Sequence, residues 1–180
     1  MNAERKHVVI PILRRYEKKA NWVSYMPSNP SGETGWDLEL RRKNLYLCIE
    51  AKYITRSFIS SFSQLATSPL TKKKLHLMKV ETSSACARPC WAIGSSYQTR
   101  HVYQILFDYL VRNLDFWKHY SEDLKMQYVF FIKKKKISRI SFKRLLQLAD
   151  TYHEKTPLKN TTERRVIADQ LMRRYALPME

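Results

Sequence analysis

The stretch 36–53, WDLELRRKNLYLCIEAKY, constrains the fold of this chain more than any other. Its first part alternates the acids Asp37 and Glu39 with leucines, and a polar Arg-Arg-Lys-Asn segment then leads into the apolar run 45–49. Alternation with a period of two is typical of a half-buried strand. The sequence therefore predicts a β-hairpin whose second strand is strongly apolar.

The second strand of this hairpin ends in two charged residues on one face. Glu50 and Lys52 follow Tyr46 and Cys48 on the even-numbered face, whereas the odd-numbered face is apolar. Charges near a core need partners, because burying an unpaired charge is costly. A divalent cation beside Asp37 would be one such partner. A purely structural ion pair at the strand end is the alternative.

The acids of this hairpin suit magnesium chemistry. Mg²⁺ prefers hard oxygen ligands, usually one or two carboxylates with water and phosphate oxygens, and Asp37 and Glu50 would supply the carboxylates. A metal held there would activate a water and offset charge on a phosphate. Lys52 would orient the water or stabilise developing charge, and the backbone carbonyl of Ala51 would complete the coordination.

The charge balance indicates a polyanionic partner. The chain has 33 Lys and Arg against 16 Asp and Glu, a formal charge of +17, which favours nucleic acid. An RNA-binding structural protein that acts through charge alone is an alternative. The residues predicted to contact DNA phosphates are Arg41, Arg42, Arg56, Lys72, Lys73, Lys74, Lys133, Lys134, Lys135 and Lys136.

The rest of the chain predicts an α/β protein with one core. Helical periodicity occurs at 3–19, 57–66, 101–119, 142–152 and 162–175, and strand patterns occur at 22–26, 91–94 and 128–132. We expect a core over 1–138 and a basic helical C-terminal extension over 139–180 that packs on it. Three cysteines, no apparent signal peptide and no uninterrupted apolar span predict a soluble, intracellular, cytoplasmic protein.

Taken together, these residues resemble the PD-(D/E)xK, or restriction-endonuclease-like, nuclease superfamily. The resemblance rests on Asp37 followed by Glu50-Ala51-Lys52 at the end of an apolar strand. Within the superfamily the chain looks nearest to the archaeal-type Holliday junction resolvases, through Ala3-Glu4-Arg5 and the strand end 47–52. It departs from the pattern in having Trp36, not proline, before Asp37.

This resemblance implies a mixed sheet of four or five strands flanked by helices and a Mg²⁺-dependent DNA endonuclease, with Mn²⁺ able to substitute. The alternative is a non-catalytic DNA-binding subunit of a restriction, recombination or transposition assembly. We expect no membrane association and no small-molecule cofactor beyond the metal. Formation of a homodimer is an open alternative to a monomer. The implied site residues are Asp37 and Glu50 as metal ligands, Lys52 as a catalytic residue, Gln64 as a supporting polar residue, and Glu4 or Glu17 as an assisting helix-1 acid.

Overall fold

The alternating residues of the predicted hairpin form two neighbouring strands near one side of a mixed sheet. The structure is a computed structural model, and it describes residues 2–26, 36–55, 87–134, 136–175 and 177–178. Within these residues seven strands form one sheet in the order of the chain. The strands are β1 (Val23–Tyr25), β2 (Leu38–Arg42), β3 (Leu45–Ile54), β4 (Ala87–Ser95), β5 (Tyr128–Lys133), β6 (Lys136–Ser141) and β7 (Leu177–Pro178).

The mode of strand pairing changes twice across the sheet. Strands β1, β2 and β3 form an antiparallel meander, β4 and β5 run parallel to β3, and β6 and β7 are antiparallel again. The carboxyl ends of β3, β4 and β5 therefore lie along one edge, which is where α/β folds commonly place ligands.

Helices cover both faces of this sheet. Helix α1 begins as a π-helical turn, Arg5–Val9, and continues as an α-helix, Ile10–Glu17. The other helices are α2 (Thr99–Arg112), α3 (Leu114–Leu124), α4 (Phe142–Lys155) and α5 (Thr161–Tyr175). No helix among the described residues is long and apolar enough to cross a membrane.

The two faces of β3 belong to different parts of the core. Leu47, Ile49 and Ala51 pack with the buried face of α1, including Val8 and Ile12. A second core cluster combines Ile54, at the end of the even-numbered face, with apolar residues of α2, α3, α4 and α5. The predicted division of β3 into an odd-numbered apolar face and an even-numbered face is thus confirmed.

The structure confirms the predicted class, a mixed sheet flanked by helices, and corrects several details. The sheet has more strands than the expected four or five, because β6 and β7 join it at its far side. The helix predicted over 101–119 is two helices, since Asn113 leaves the helical conformation at φ −146°. The predicted helix 57–66 lies outside the described residues.

The C-terminal helices are built into the main core. The expected boundary at residue 138 falls inside β6, whose last residue, Ser141, accepts a hydrogen bond from the Arg144 amide and caps α4. Phe142 of α4 packs edge-on against Trp91 of β4. These contacts join the predicted extension to the sheet through one continuous apolar cluster.

Candidate active site

Asp37 is held against the end of β3 by two hydrogen bonds. Its backbone amide donates to the carbonyl oxygen of Ile49 at 2.8 Å. Its carboxylate Oδ2 accepts from the amide of Ala51, also at 2.8 Å. The two partners flank Glu50, so Asp37 lies beside Glu50 although the two acids are far apart in the chain. A hydrogen bond to a charged acceptor is among the stronger ones, which makes this placement firm.

Glu50 and Lys52 form an ion pair at the same place. The Lys52 Nζ lies 3.1 Å from Glu50 Oε1, and Glu50 is only 6% exposed. Glu4, the N-cap residue immediately before α1, brings its Oε1 to 3.8 Å from the same Nζ. Two carboxylates from distant parts of the sequence, Glu50 and Glu4, thus pair with Lys52, and Asp37 is near enough to act on its charge.

The electrostatics of Lys52 follow from this arrangement. Burial by itself lowers the pKa of Lys52, but the negative charges of Glu50, Glu4 and Asp37, together with the hydrogen bond to Glu50, outweigh burial and raise it above its ordinary value. The side chain is therefore an ammonium group at neutral pH. It is placed to neutralise or stabilise negative charge at the site.

Of the two helix-1 acids that the sequence offered, the structure brings only Glu4 to Lys52. Glu17 is exposed in the last turn of α1, about 20 Å along the helix axis from Glu4 at 1.5 Å per residue. The backbone of Ala51 is at the site through its amide. Gln64 lies outside the described residues.

Trp36 and Glu39 support Asp37 in a way that the sequence did not indicate. The Trp36 Nε1 donates to Glu39 Oε1 at 2.9 Å, and Arg41 reaches Glu39 Oε2 at 3.3 Å. Trp36 is 5% exposed and packs with Cys48. The indole is thus anchored immediately before Asp37. The signal available in the sequence was the alternation that places Asp37 and Glu39 on one face.

Tyr120 of α3 is a further residue near the site that the sequence did not indicate. Burial raises the pKa of Tyr120, and the negative charge of Glu50 raises it further, so the phenol stays neutral. Its ring packs against Phe116 and Trp117. Tyr120 therefore lies near enough to Glu50 to feel its charge, on the face of the sheet that α3 covers.

The predicted DNA contacts fall into separate regions. Arg41 and Arg42 are exposed at the opposite end of β2 from Asp37, where their guanidinium groups lie over the rings of Tyr46 and Trp22. Lys133, Lys134 and Lys136 are exposed at the β5–β6 hairpin, near the edge where β3 ends. The remaining residues predicted to contact DNA lie outside the described part of the chain: Arg56, Lys72, Lys73, Lys74 and Lys135.

The carboxylates at this strand end suit a magnesium ion that takes its remaining ligands from water or phosphate. Within the described residues no group of three His, Cys, Asp or Glu side chains is placed to hold a metal ion. Mg²⁺ commonly takes one or two carboxylates from a protein, with water and phosphate oxygens as its other ligands, and Asp37 and Glu50 are two carboxylates at one strand end. The predicted ligand role of the Ala51 carbonyl stays a prediction.

Comparison of this chain with family models, curated proteins and solved structures found no match. The class that the fold itself defines is a mixed α/β protein with a sheet flanked by helices.

Proposed function

We propose that this protein is a Mg²⁺-dependent DNA endonuclease of the restriction-endonuclease-like type. The observation that carries the proposal is the meeting of Asp37, Glu50 and Lys52 at one strand end, fixed by the bond from the Ala51 amide to Asp37. The order of elements is compatible with it: a helix, an antiparallel meander and then a parallel strand beside the charged strand end.

Each residue has a distinct part in this proposal. Asp37 and Glu50 would hold the metal ion, which when bound supplies an activated water and offsets charge on the scissile phosphate. Lys52 stabilises the negative charge that builds on the phosphate oxygens as the phosphodiester bond is cleaved. Glu4 positions Lys52 from the other side. Trp36, anchored by Glu39, holds the chain immediately before Asp37, whose carboxylate is kept beside β3 by the Ala51 amide.

Cleavage of supercoiled plasmid DNA with Mg²⁺ tests the proposal. We expect Asp37→Asn and Lys52→Ala each to lower the cleavage rate by on the order of 10²-fold or more, as for other losses of transition-state electrostatics. Glu17→Gln is the matched control, because it removes an exposed acid of α1 far from Lys52. Thermal unfolding of each variant confirms that it is folded.

The alternative, a DNA-binding subunit that does not cut, predicts a different result. Such a protein leaves single-stranded, duplex and branched DNA intact with either Mg²⁺ or Mn²⁺, and that outcome would sink the endonuclease proposal. DNA binding that persists in Asp37→Asn and falls steeply with salt would then support the subunit. A preference for RNA over DNA would favour the structural RNA-binding protein.

A further inference from the structure

A cavity of about 560 Å³ opens at the carboxyl ends of β4 and β5, one strand away from the candidate active site. It lies between α1 on one face of the sheet and α2 on the other. Ile93 of its wall is paired with Lys52 in the parallel register of β3 and β4. Its volume is within the range of pockets that bind small molecules.

Three basic side chains from different elements line this cavity. Arg15 comes from α1, Lys133 from the end of β5 and Lys136 from the start of β6. The hydroxyl groups of Ser95 and Thr99 add polar atoms to the wall. This combination of cations and hydroxyls is suited to the oxygens of a phosphate group.

The packing of α1 on β4 fixes the shape of the cavity wall. Gly94 has no side chain, and a Cβ atom there would lie 2.8 Å from Cγ2 of Val8. The helix therefore approaches the strand as closely as a glycine allows. Arg15 lies about two turns further along α1, so this contact helps to fix the part of the helix from which Arg15 reaches the cavity.

The two lysines are arranged as an anion site. Lys133 and Lys136 are directly opposite each other in the β5–β6 hairpin, and like charges in that position repel. The Lys133 Nζ donates to Thr99 Oγ1 at 2.5 Å, which holds the ammonium group over the first residue of α2. An anion between the lysines would offset their repulsion, and the positive end of the α2 dipole would add to the attraction.

We propose that this cavity binds a phosphate group, which contacts Arg15, Lys133 and Lys136. The phosphate would belong either to a nucleic-acid strand or to a small phosphorylated ligand. A nucleic-acid strand that runs along the sheet edge from Lys52 of β3 reaches Lys133 of β5 after two spacings between β-strands, about 10 Å. That is roughly three nucleotides at a rise of 3.4 Å each. The assignment of the phosphate to a nucleic-acid strand rests on the proposed nuclease function. The cavity and its positive charges do not depend on that function.

The test compares two double variants that remove the same charge. Lys133→Gln/Lys136→Gln changes the cavity, whereas Lys143→Gln/Lys159→Gln changes two exposed lysines elsewhere. Binding of a fluorescently labelled 12-nucleotide single strand is measured by anisotropy between 50 and 200 mM NaCl. In parallel, thermal unfolding is followed with and without millimolar pyrophosphate. Asp37→Asn is included because it alters the candidate catalytic centre and leaves the cavity lysines in place.

We expect the cavity variant to bind the oligonucleotide on the order of tenfold more weakly, with a salt slope smaller by about 1.4, the value for two lost phosphate contacts on a single strand. The control should bind like the wild type, whereas Asp37→Asn, which removes a negative charge from the candidate active site, should bind no more weakly than the wild type. If instead pyrophosphate raises the Tm of the wild type by about 3 °C or more and the cavity variant alone loses this effect, the ligand is a small phosphate compound. Equal behaviour of the two double variants in both assays would overturn the proposal, whether or not the protein cuts DNA.

Discussion

Removing the ammonium group of Lys52 should destabilise the protein and expose how the candidate site is held together. Lys52→Met keeps most of the length of the side chain and its apolar stem but deletes the charge. Glu50, whose side chain is 7% exposed, would lose the cation that lies 3.1 Å away. The variant therefore leaves a buried carboxylate without its nearest positive partner, which is one of the costly kinds of substitution.

The size of this loss follows from the geometry. Two unit charges 3.1 Å apart attract by ~5 kcal/mol at an effective dielectric constant near 20, and the cost of burying them offsets part of that. Breaking one partner of a buried pair typically costs about 3–5 kcal/mol. Because the Lys52 side chain is 21% exposed, we expect about 2–4 kcal/mol. The contact with Glu4 is longer and more exposed, so it adds at most about 1 kcal/mol.

Urea denaturation of the wild type, Lys52→Met, Glu50→Gln and the double variant measures this value. The double variant should recover much of the stability lost in Lys52→Met, with a coupling energy of about 2–3 kcal/mol, because the neutral amide that replaces the Glu50 carboxylate no longer needs the ammonium group. Addition of 10 mM Mg²⁺ should restore about 1.4 kcal/mol to Lys52→Met if the ion binds the carboxylates with a Kd near 1 mM. A coupling energy below about 0.5 kcal/mol would refute the reasoning, since the pair would then be an ordinary exposed one.

Two further predictions concern the frame around the site. Lys125 ends α3 in the left-handed conformation at φ 54°, so Lys125→Gly should raise the free energy of unfolding by about 0.5–1 kcal/mol, whereas Lys143→Gly in α4 should lower it by a similar amount. Chemical denaturation of both variants checks the opposite signs. Gly94→Ala should cost about 1–3 kcal/mol, because the new methyl group meets Val8 at 2.8 Å. Combining it with Val8→Ala should cost less than the sum of the two single changes, and additive losses would show that the contact does not limit the packing.

The hairpin that positions the candidate site was readable from the sequence because its pattern is local. Alternation with a period of two gave the faces of β3, and Ala51 is buried on one side of it while Glu50 faces the other. The bond between Asp37 and the Ala51 amide depends on the register of the two strands. That register follows from the two-residue turn at 43–44. The sequence predicted a turn within the polar segment 41–44 but did not indicate which two residues form it.

Other features depended on contacts between distant parts of the chain and were not readable in this way. The apolar periodicity of 101–119 continues through Asn113, so nothing local indicated that α2 and α3 are separate helices. Strand β6 begins in a run of lysines that is typical of a solvated strand end, and only pairing with β5 makes it part of the sheet. The choice of Glu4 over Glu17 likewise required knowledge of where α1 crosses β3.

The break at Asn113 matters for the site because it redirects α3. With the chain turned there, Tyr120 comes close enough to Glu50 for the carboxylate to raise the pKa of the phenol beyond the effect of burial. Trp117, three residues earlier in α3, packs against Trp91, which is paired with Glu50 across β3 and β4. Helix α4 adds Phe142 to the same aromatic cluster. Among the residues that the structure describes, the face of the sheet that carries Glu50 is therefore covered by helices from the second half of the chain, and those helices contribute to the burial of the acid–lysine motif in the first third.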